Sequence, residues 1–174
     1  MTQAPEAEIR LLDGPAEAAL CARMMIATEP WITLGGTFER ALGMLTDPAR
    51  EVFVLVEGGQ LQGFVALTLS GAFVGYIQAI CVAAEARGQG VGSELLAFAE
   101  RRIAPLSPTV FLCVSSFNHR ARSLYERLGY EKVGELPDYV ERGYSEILMW
   151  KRRMSRNEFV ARQPVPAEGE GAAA

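Results

Sequence analysis

Apolar residues fall along this chain in two patterns. Residues 52–56, 61–69, 76–82 and 109–114 are short apolar runs rich in β-branched side chains, which predict buried strands. Residues 8–12, 130–136 and 144–150 predict three more. Between them the apolar spacing lengthens to three or four. Leu20, Met24 and Met25 mark a helix over 16–27, and a second follows over 37–45. Leu95, Leu96, Ala99 and Ile103 mark one face of a helix that begins at about Val91 or Gly92. Ala121, Leu124, Tyr125 and Leu128 fall at i, i+3, i+4 and i+7 of a fourth.

Turn residues separate these elements. Asp13-Gly14-Pro15 offers Asp13 as a candidate cap and Pro15 for a first helical turn. Pro30 and Gly35-Gly36 interrupt the helices of the N-terminal third. Gly58-Gly59 suits a two-residue hairpin turn between 52–56 and 61–69, and the strand at 76–82 completes an antiparallel meander. Pro105 and Pro108 mark a crossover. The strand–helix–strand order around it predicts parallel pairing of 76–82 with 109–115. Asn118 suits an N-cap and Gly129 a C′ position.

The total of 174 residues suits one domain. It divides into a loose leader over 1–7, a folded domain over 8–152 and a tail over 153–174 whose Pro, Glu, Gly and Ala content predicts disorder. A net charge of −4 argues against a nucleic-acid surface. No apolar run reaches the roughly 18 residues of a membrane span. Cys21, Cys81 and Cys113 are odd in number and sit in apolar surroundings, which predicts reduced thiols and a cytoplasmic protein. With one histidine and no Cys/His cluster, no metal site is expected.

The chemistry concentrates at Arg87-Gly88-Gln89-Gly90-Val91-Gly92-Ser93. A glycine loop between a strand and a helix aims backbone N–H groups at one spot, at the positive end of a helix dipole. Phosphate is the usual anion there. The bland alternative is a tight turn and nothing more. A Walker A loop would need Lys where Gly92 stands, and a dinucleotide loop would need Gly where Ser93 stands.

Arg87, Gly90 and Gly92 complete an Arg-x-x-Gly-x-Gly pattern. This resembles the pyrophosphate loop of the GNAT superfamily of N-acetyltransferases. A second segment, Asn118 to Tyr130, resembles that family's Asn-x-x-Ala-x-x-Leu-Tyr-x-x-Leu-Gly-Tyr helix. The resemblance covers roughly 8–150. It implies an α/β (α+β) GNAT fold of order β–α–α–β–β–β–α–β–α–β–β, with a mixed sheet splayed between its fourth and fifth strands. The implied activity is transfer of an acetyl group from acetyl-CoA directly to a primary amine, on a small molecule or on a protein N-terminus or lysine. A non-catalytic sensor of coenzyme A is the alternative, and a homodimer stays open.

The resemblance assigns acetyl-CoA to Ile80, Cys81, Val82, Arg87, Gly88, Gln89, Gly90, Val91, Gly92, Ser93, Asn118, Ala121 and Tyr125. A backbone N–H near Val82 would polarise the carbonyl, and Tyr125 would protonate the departing thiolate. Without the family pattern, Tyr125 reads as an ordinary core tyrosine. Glu29, Trp31, Gln78 and Tyr139 are the candidate acceptor contacts. Trp31 reads equally as a pin for its loop. The 137–144 loop is loosely similar to one in ribosomal-protein N-terminal acetyltransferases. The general base stays open. Cys113 and Gln78 stand where relatives carry glutamate, which leaves Glu29, His119, a water relay or no base at all. A cysteine nucleophile at Cys81 or Cys113 is the disfavoured route.

Overall fold

The computed structural model describes residues 7–163. Within them the order is β1 (Ala7–Leu11), α1 (Gly14–Ile26), α2 (Phe38–Leu45), β2 (Arg50–Glu57), β3 (Gln60–Thr68), β4 (Tyr76–Val82), α3 (Val91–Ile103), β5 (Thr109–Ser115), α4 (His119–Arg127), β6 (Glu131–Pro137), β7 (Ser145–Arg152) and α5 (Arg156–Arg162), with a single 3-10 turn, Ala84–Ala86, ahead of α3. This is the predicted α/β order with one helix added.

The added helix corrects the expectation of a structureless stretch from residue 153. Ser155 accepts from the Glu158 N–H at 3.3 Å, and the Glu158 carboxylate accepts from the Ser155 N–H at 2.7 Å. This reciprocal cap starts a helix too short to show periodicity. The remaining leader and tail expectations, 1–6 and 164–174, lie outside the described residues. A second correction concerns Asp13. Its side chain makes no capping bond. Glu17 instead reaches back to accept from the Asp13 N–H at 2.6 Å, and it is held in place by Arg10.

The seven strands form one sheet of order β1-β2-β3-β4-β5-β7-β6. β1 to β4 are antiparallel, β4 and β5 are parallel, and β5, β7 and β6 are antiparallel again. Each face has its own core. Leu95, Leu96, Ala99 and Ile103 of α3 pack with Ile77, Val110, Leu112, Val114, Ile147 and Met149 on one face, and Leu124, Tyr125 and Leu128 of α4 lie against them. On the other face Cys21, Ala22 and Met25 of α1 and Ala41 and Leu45 of α2 pack on Val52, Val54, Phe64, Ala66, Ala79 and Cys81. This second core stops at β4. Leu95 and Ile103 are fully buried, and burial of such side chains stabilises by about 1.5–3 kcal/mol each.

Two irregularities in β4 shape the site. Ala66 pairs with Ala79 while the next residue, Leu67, pairs with Ile77. Gln78 is therefore the extra residue of a β-bulge, which flips the facing of the strand. Ile77 points to the α3 core and Ala79 to the α1–α2 core. The second irregularity is the pairing with β5, which is confined to Tyr76↔Phe111 and Ile77↔Leu112. Beyond it the strands diverge, as the predicted splay requires. Among the described residues no helix is long and apolar enough to cross a membrane.

Candidate active site

The diverging strands open a cleft of about 1000 Å³. Strand alternation decides which backbone groups face it. The Ala83 N–H donates to the Gln62 carbonyl at 2.8 Å, so Ala83 and Cys81 turn their backbone groups to β3. Ile80 and Val82 turn theirs to the gap. On the opposite wall the Ser116 N–H donates to Ser145 at 2.8 Å, and the Phe111 N–H donates to Gly75 at 2.9 Å. Ser116 thus faces β7, and Ser115 and Cys113 present their backbones to the gap. Of the three expected β4 contacts, Ile80 and Val82 offer backbone. Cys81 offers only a side chain, 2% exposed, that belongs to the second core.

The glycine loop closes the end of the gap. Gly88 and Gly90 hold φ of 81° and 91°, a left-handed conformation that side-chain-bearing residues avoid. Gly90 is the N-cap of α3 and caps it with no side chain. Among the described residues the N–H groups of Val91, Gly92 and Ser93 have no acceptor, and the first bond of the helix runs from Glu94 to Gly90. Three unbonded donors at a helix start fit a diphosphate. Arg87 spans the mouth. Its Nε donates to the Val82 carbonyl at 3.3 Å and its Nη2 to Thr28 Oγ1 at 3.0 Å. It forms no ion pair among the described residues.

Arg87, Gly88, Gly90, Gly92 and Ser93 line the cleft, whereas Gln89 and Val91 do not. The Gln89 amide donates to the Glu85 carbonyl at 2.7 Å. The Val91 side chain is buried in the first core, which leaves only its N–H for a ligand.

α4 supplies the far wall. Asn118 caps it by accepting from the Ala121 N–H at 3.2 Å, and Asn118, Ala121 and Tyr125 all line the cleft. Tyr125 is half-buried, with its ring 5.9 Å from that of Tyr130. Burial pushes its phenol up to about 12, so it stays protonated at neutral pH. It packs on the first core and reaches the gap from the α3–α4 side.

The candidate acceptor residues belong to the same cleft, with Glu29 next to the Thr28 that Arg87 reaches. Glu29, Trp31, Gln78 and Tyr139 all line the cleft. The Glu29 carboxylate accepts from the Thr33 N–H at 3.2 Å and from its hydroxyl at 3.0 Å, so it braces the turn around Trp31. Trp31 is both pin and wall. It packs on the second core and lines the cleft. Tyr139 is 67% exposed on a loop tied by the Gly143 N–H to Asp138 at 2.6 Å. His119 is exposed and outside the cleft lining. Burial pushes Cys81 up to about 11 and raises Cys113 as well.

One residue escaped the sequence reading. Glu146 of β7 lines the cleft at 7% exposure, and Ser115 Oγ donates to its Oε1 at 2.5 Å. Burial raises its carboxyl above the usual range, with the Ser115 bond opposing. In sequence, Ser145-Glu146 reads as the polar start of a strand. Only the β5–β7 pairing sets Glu146 opposite Ser115.

The family model of the acetyltransferase (GNAT) family matches residues 17–130, a span from α1 through the glycine loop to the end of α4. The chain belongs to the GNAT family. Blasticidin-S acetyltransferase of Streptomyces morookaense is 35% identical over 88 residues, which make up 47% of this chain and 65% of that protein. The matched segment is thus just under two thirds of that relative's length. The aminoglycoside 6'-N-acetyltransferase of Enterococcus faecium superposes with a TM-score of 0.68 at 20% identity, over 86% of this chain and 98% of that one. An aminoglycoside 6'-N-acetyltransferase solved with coenzyme A gives a TM-score of 0.67 at 19% identity, over 86% and 98%. At these identities the likeness is one of GNAT fold. Nourseothricin acetyltransferase is 28% identical with a TM-score of 0.56, over 62% of this chain and 68% of that one.

Proposed function

We propose that this GNAT protein is an acetyl-CoA-dependent N-acetyltransferase that moves the acetyl group directly to a primary amine of a small cationic molecule. The observation that carries this reading is the gap between β4 and β5, which closes at Ile77–Leu112 and opens at unbonded helix amides. The Val91, Gly92 and Ser93 N–H groups and Arg87 would hold the diphosphate, and Asn118 and Ala121 the arm. Acetyl-CoA supplies a thioester carbonyl and a thiolate leaving group. The Val82 N–H would donate to the carbonyl oxygen as charge develops on it. Tyr125, protonated at neutral pH as an ordinary phenol is, would give its proton to the sulfur.

The preference for a small acceptor rests on what the relatives act on by name: blasticidin S, aminoglycosides and nourseothricin. A protein N-terminus is the alternative acceptor, and a cytoplasmic setting suits the unpaired thiols. Thiol release from acetyl-CoA, measured over blasticidin S, kanamycin and a peptide with a free α-amine, separates the readings. Release driven by the antibiotics supports the proposal. Release driven by the peptide alone would move the acceptor to protein. Tight acetyl-CoA binding with no amine-driven release would make the protein a sensor.

A further inference from the structure

The position of Glu146 in the sheet gives it a role that the family pattern leaves unassigned. Val110, Leu112, Val114, Ile147 and Met149 point to the α3–α4 core. Alternation along β5 and β7 therefore turns Cys113, Ser115 and Glu146 to the other face. There the α1–α2 core ends at β4. Glu146 stands at the border, buried, yet lining the cleft with Tyr76, Gln78, Cys113 and Tyr139.

Its hydrogen bonding is half complete. Oε1 takes the Ser115 hydroxyl. Among the described residues Oε2 has no protein donor, and it is not among the polar atoms sealed from solvent without a partner. Among the described residues no Lys, Arg or His pairs with Glu146, and no cation is among the groups that shift it. A carboxylate buried without a cation is costly unless something cationic completes it. Tyr76, whose phenol feels the Glu146 charge, brings an aromatic ring to the same lining, and such rings attract cations.

We propose that Glu146 is the acceptor's anchor and general base: Oε2 binds the substrate ammonium and takes one of its protons. This rests on the acetyltransferase reading and adds to it a named subsite on the face opposite Tyr125. The proton moves from nitrogen to Oε2, and the freed lone pair forms the C–N bond at the thioester carbonyl. The C–S bond breaks with its electron pair on sulfur. A second nitrogen proton balances the one that sulfur gains, and Glu146 releases its own to solvent. The sum is ammonium plus acetyl-CoA giving amide, coenzyme A thiol and one proton. Acid and base thus stand on opposite faces of the sheet, with the β4–β5 gap between them. Among the described residues the ionisable groups that interact with Glu146 are Tyr76 from β4 and Cys113 from β5, and Tyr139 from the loop after β6 stands near Tyr76. Burial raises both Tyr76 and Cys113, so neither titrates on the acid side of neutrality.

The test compares wild type with Glu146→Gln, which keeps the shape and the Ser115 bond. The amine is whichever of blasticidin S, kanamycin and the peptide turns over fastest. At neutral pH kcat/KM for that amine should fall about 10²–10⁴-fold, while acetyl-CoA affinity by calorimetry stays within about twofold. The acid limb of the wild-type profile should vanish, leaving a rise that follows the amine's own pKa. Binding of the amine to the enzyme with coenzyme A at pH 6, where the amine is protonated, should weaken at least tenfold. A fall in kcat/KM under threefold, or one matched by lost acetyl-CoA affinity, overturns the proposal alone. A wild type that acetylates none of the three overturns the acetyltransferase reading and this proposal with it.

Discussion

Ile77 of β4 and Leu112 of β5 are the last residues at which these neighbouring parallel strands pair. Past them two strands of one sheet part, although each has a good partner on its other side. The Gln78 bulge lies at the point of divergence, and it re-aims β4 as the gap opens. The Val82 N–H, the proposed donor to the thioester carbonyl, is among the backbone groups that this divergence turns to the gap.

Arg87 sits at the mouth of the gap with no carboxylate partner among the described residues. Arg87→Glu puts a negative charge where the proposed diphosphate contact lies. Acetyl-CoA affinity should fall at least tenfold, since hydrogen bonds to charged groups contribute about 1.5–3 kcal/mol. Calorimetry showing unchanged affinity would remove the loop from the site.

Tyr125→Phe keeps the ring against Tyr130 and deletes the hydroxyl. Acting only in the transition state, the loss should lower kcat and kcat/KM together by about 10²-fold, with acetyl-CoA affinity intact. A near-normal kcat, with chemistry shown to be rate-limiting, would return Tyr125 to a packing role.

The element order was legible because β-branched runs and three-to-four spacing repeat cleanly from residue 8 to 150. The turn before α3 was legible because Gly88 and Gly90 mark left-handed backbone that other residues avoid. Features set by pairing between distant segments were not. The Gln78 bulge exists only in the register of β3 against β4. Glu146 meets Ser115 only because β7 inserts between β5 and β6. α5 rests on the Ser155–Glu158 cap, which is visible in sequence but too brief to stand out. Nor did the sequence show that the Glu29 carboxylate, one of the open choices for the base, accepts two bonds from Thr33.

Burial holds the Cys81 thiol at about 11 and raises Cys113, so little thiolate exists near neutrality. Mass spectrometry after incubation with acetyl-CoA alone should show neither cysteine acetylated. A stoichiometric adduct that an amine discharges would replace direct transfer by a two-step route.

Glu146 should cost stability for the sake of function. Its folded pKa is raised by burial, so the folded state binds more protons than the unfolded state between the two pKa values. Stability is fully present below the unfolded pKa and falls as pH rises through the folded pKa. Glu146→Gln, neutral throughout, should therefore match the wild-type Tm at acid pH. At neutral pH its Tm should be higher, by roughly 2–4 °C for each kcal/mol relieved. A lower Tm at neutral pH would mean that the carboxylate is stabilising in place.

A single-turnover experiment tests direct transfer most plainly. Enzyme in excess over acetyl-labelled acetyl-CoA is mixed with the amine and quenched at intervals. Direct transfer requires the label to reach the amine at the same rate as free coenzyme A thiol forms, one for one, with none passing through protein. Thiol formation that ignores the amine, or label that first accumulates on the protein, would contradict it.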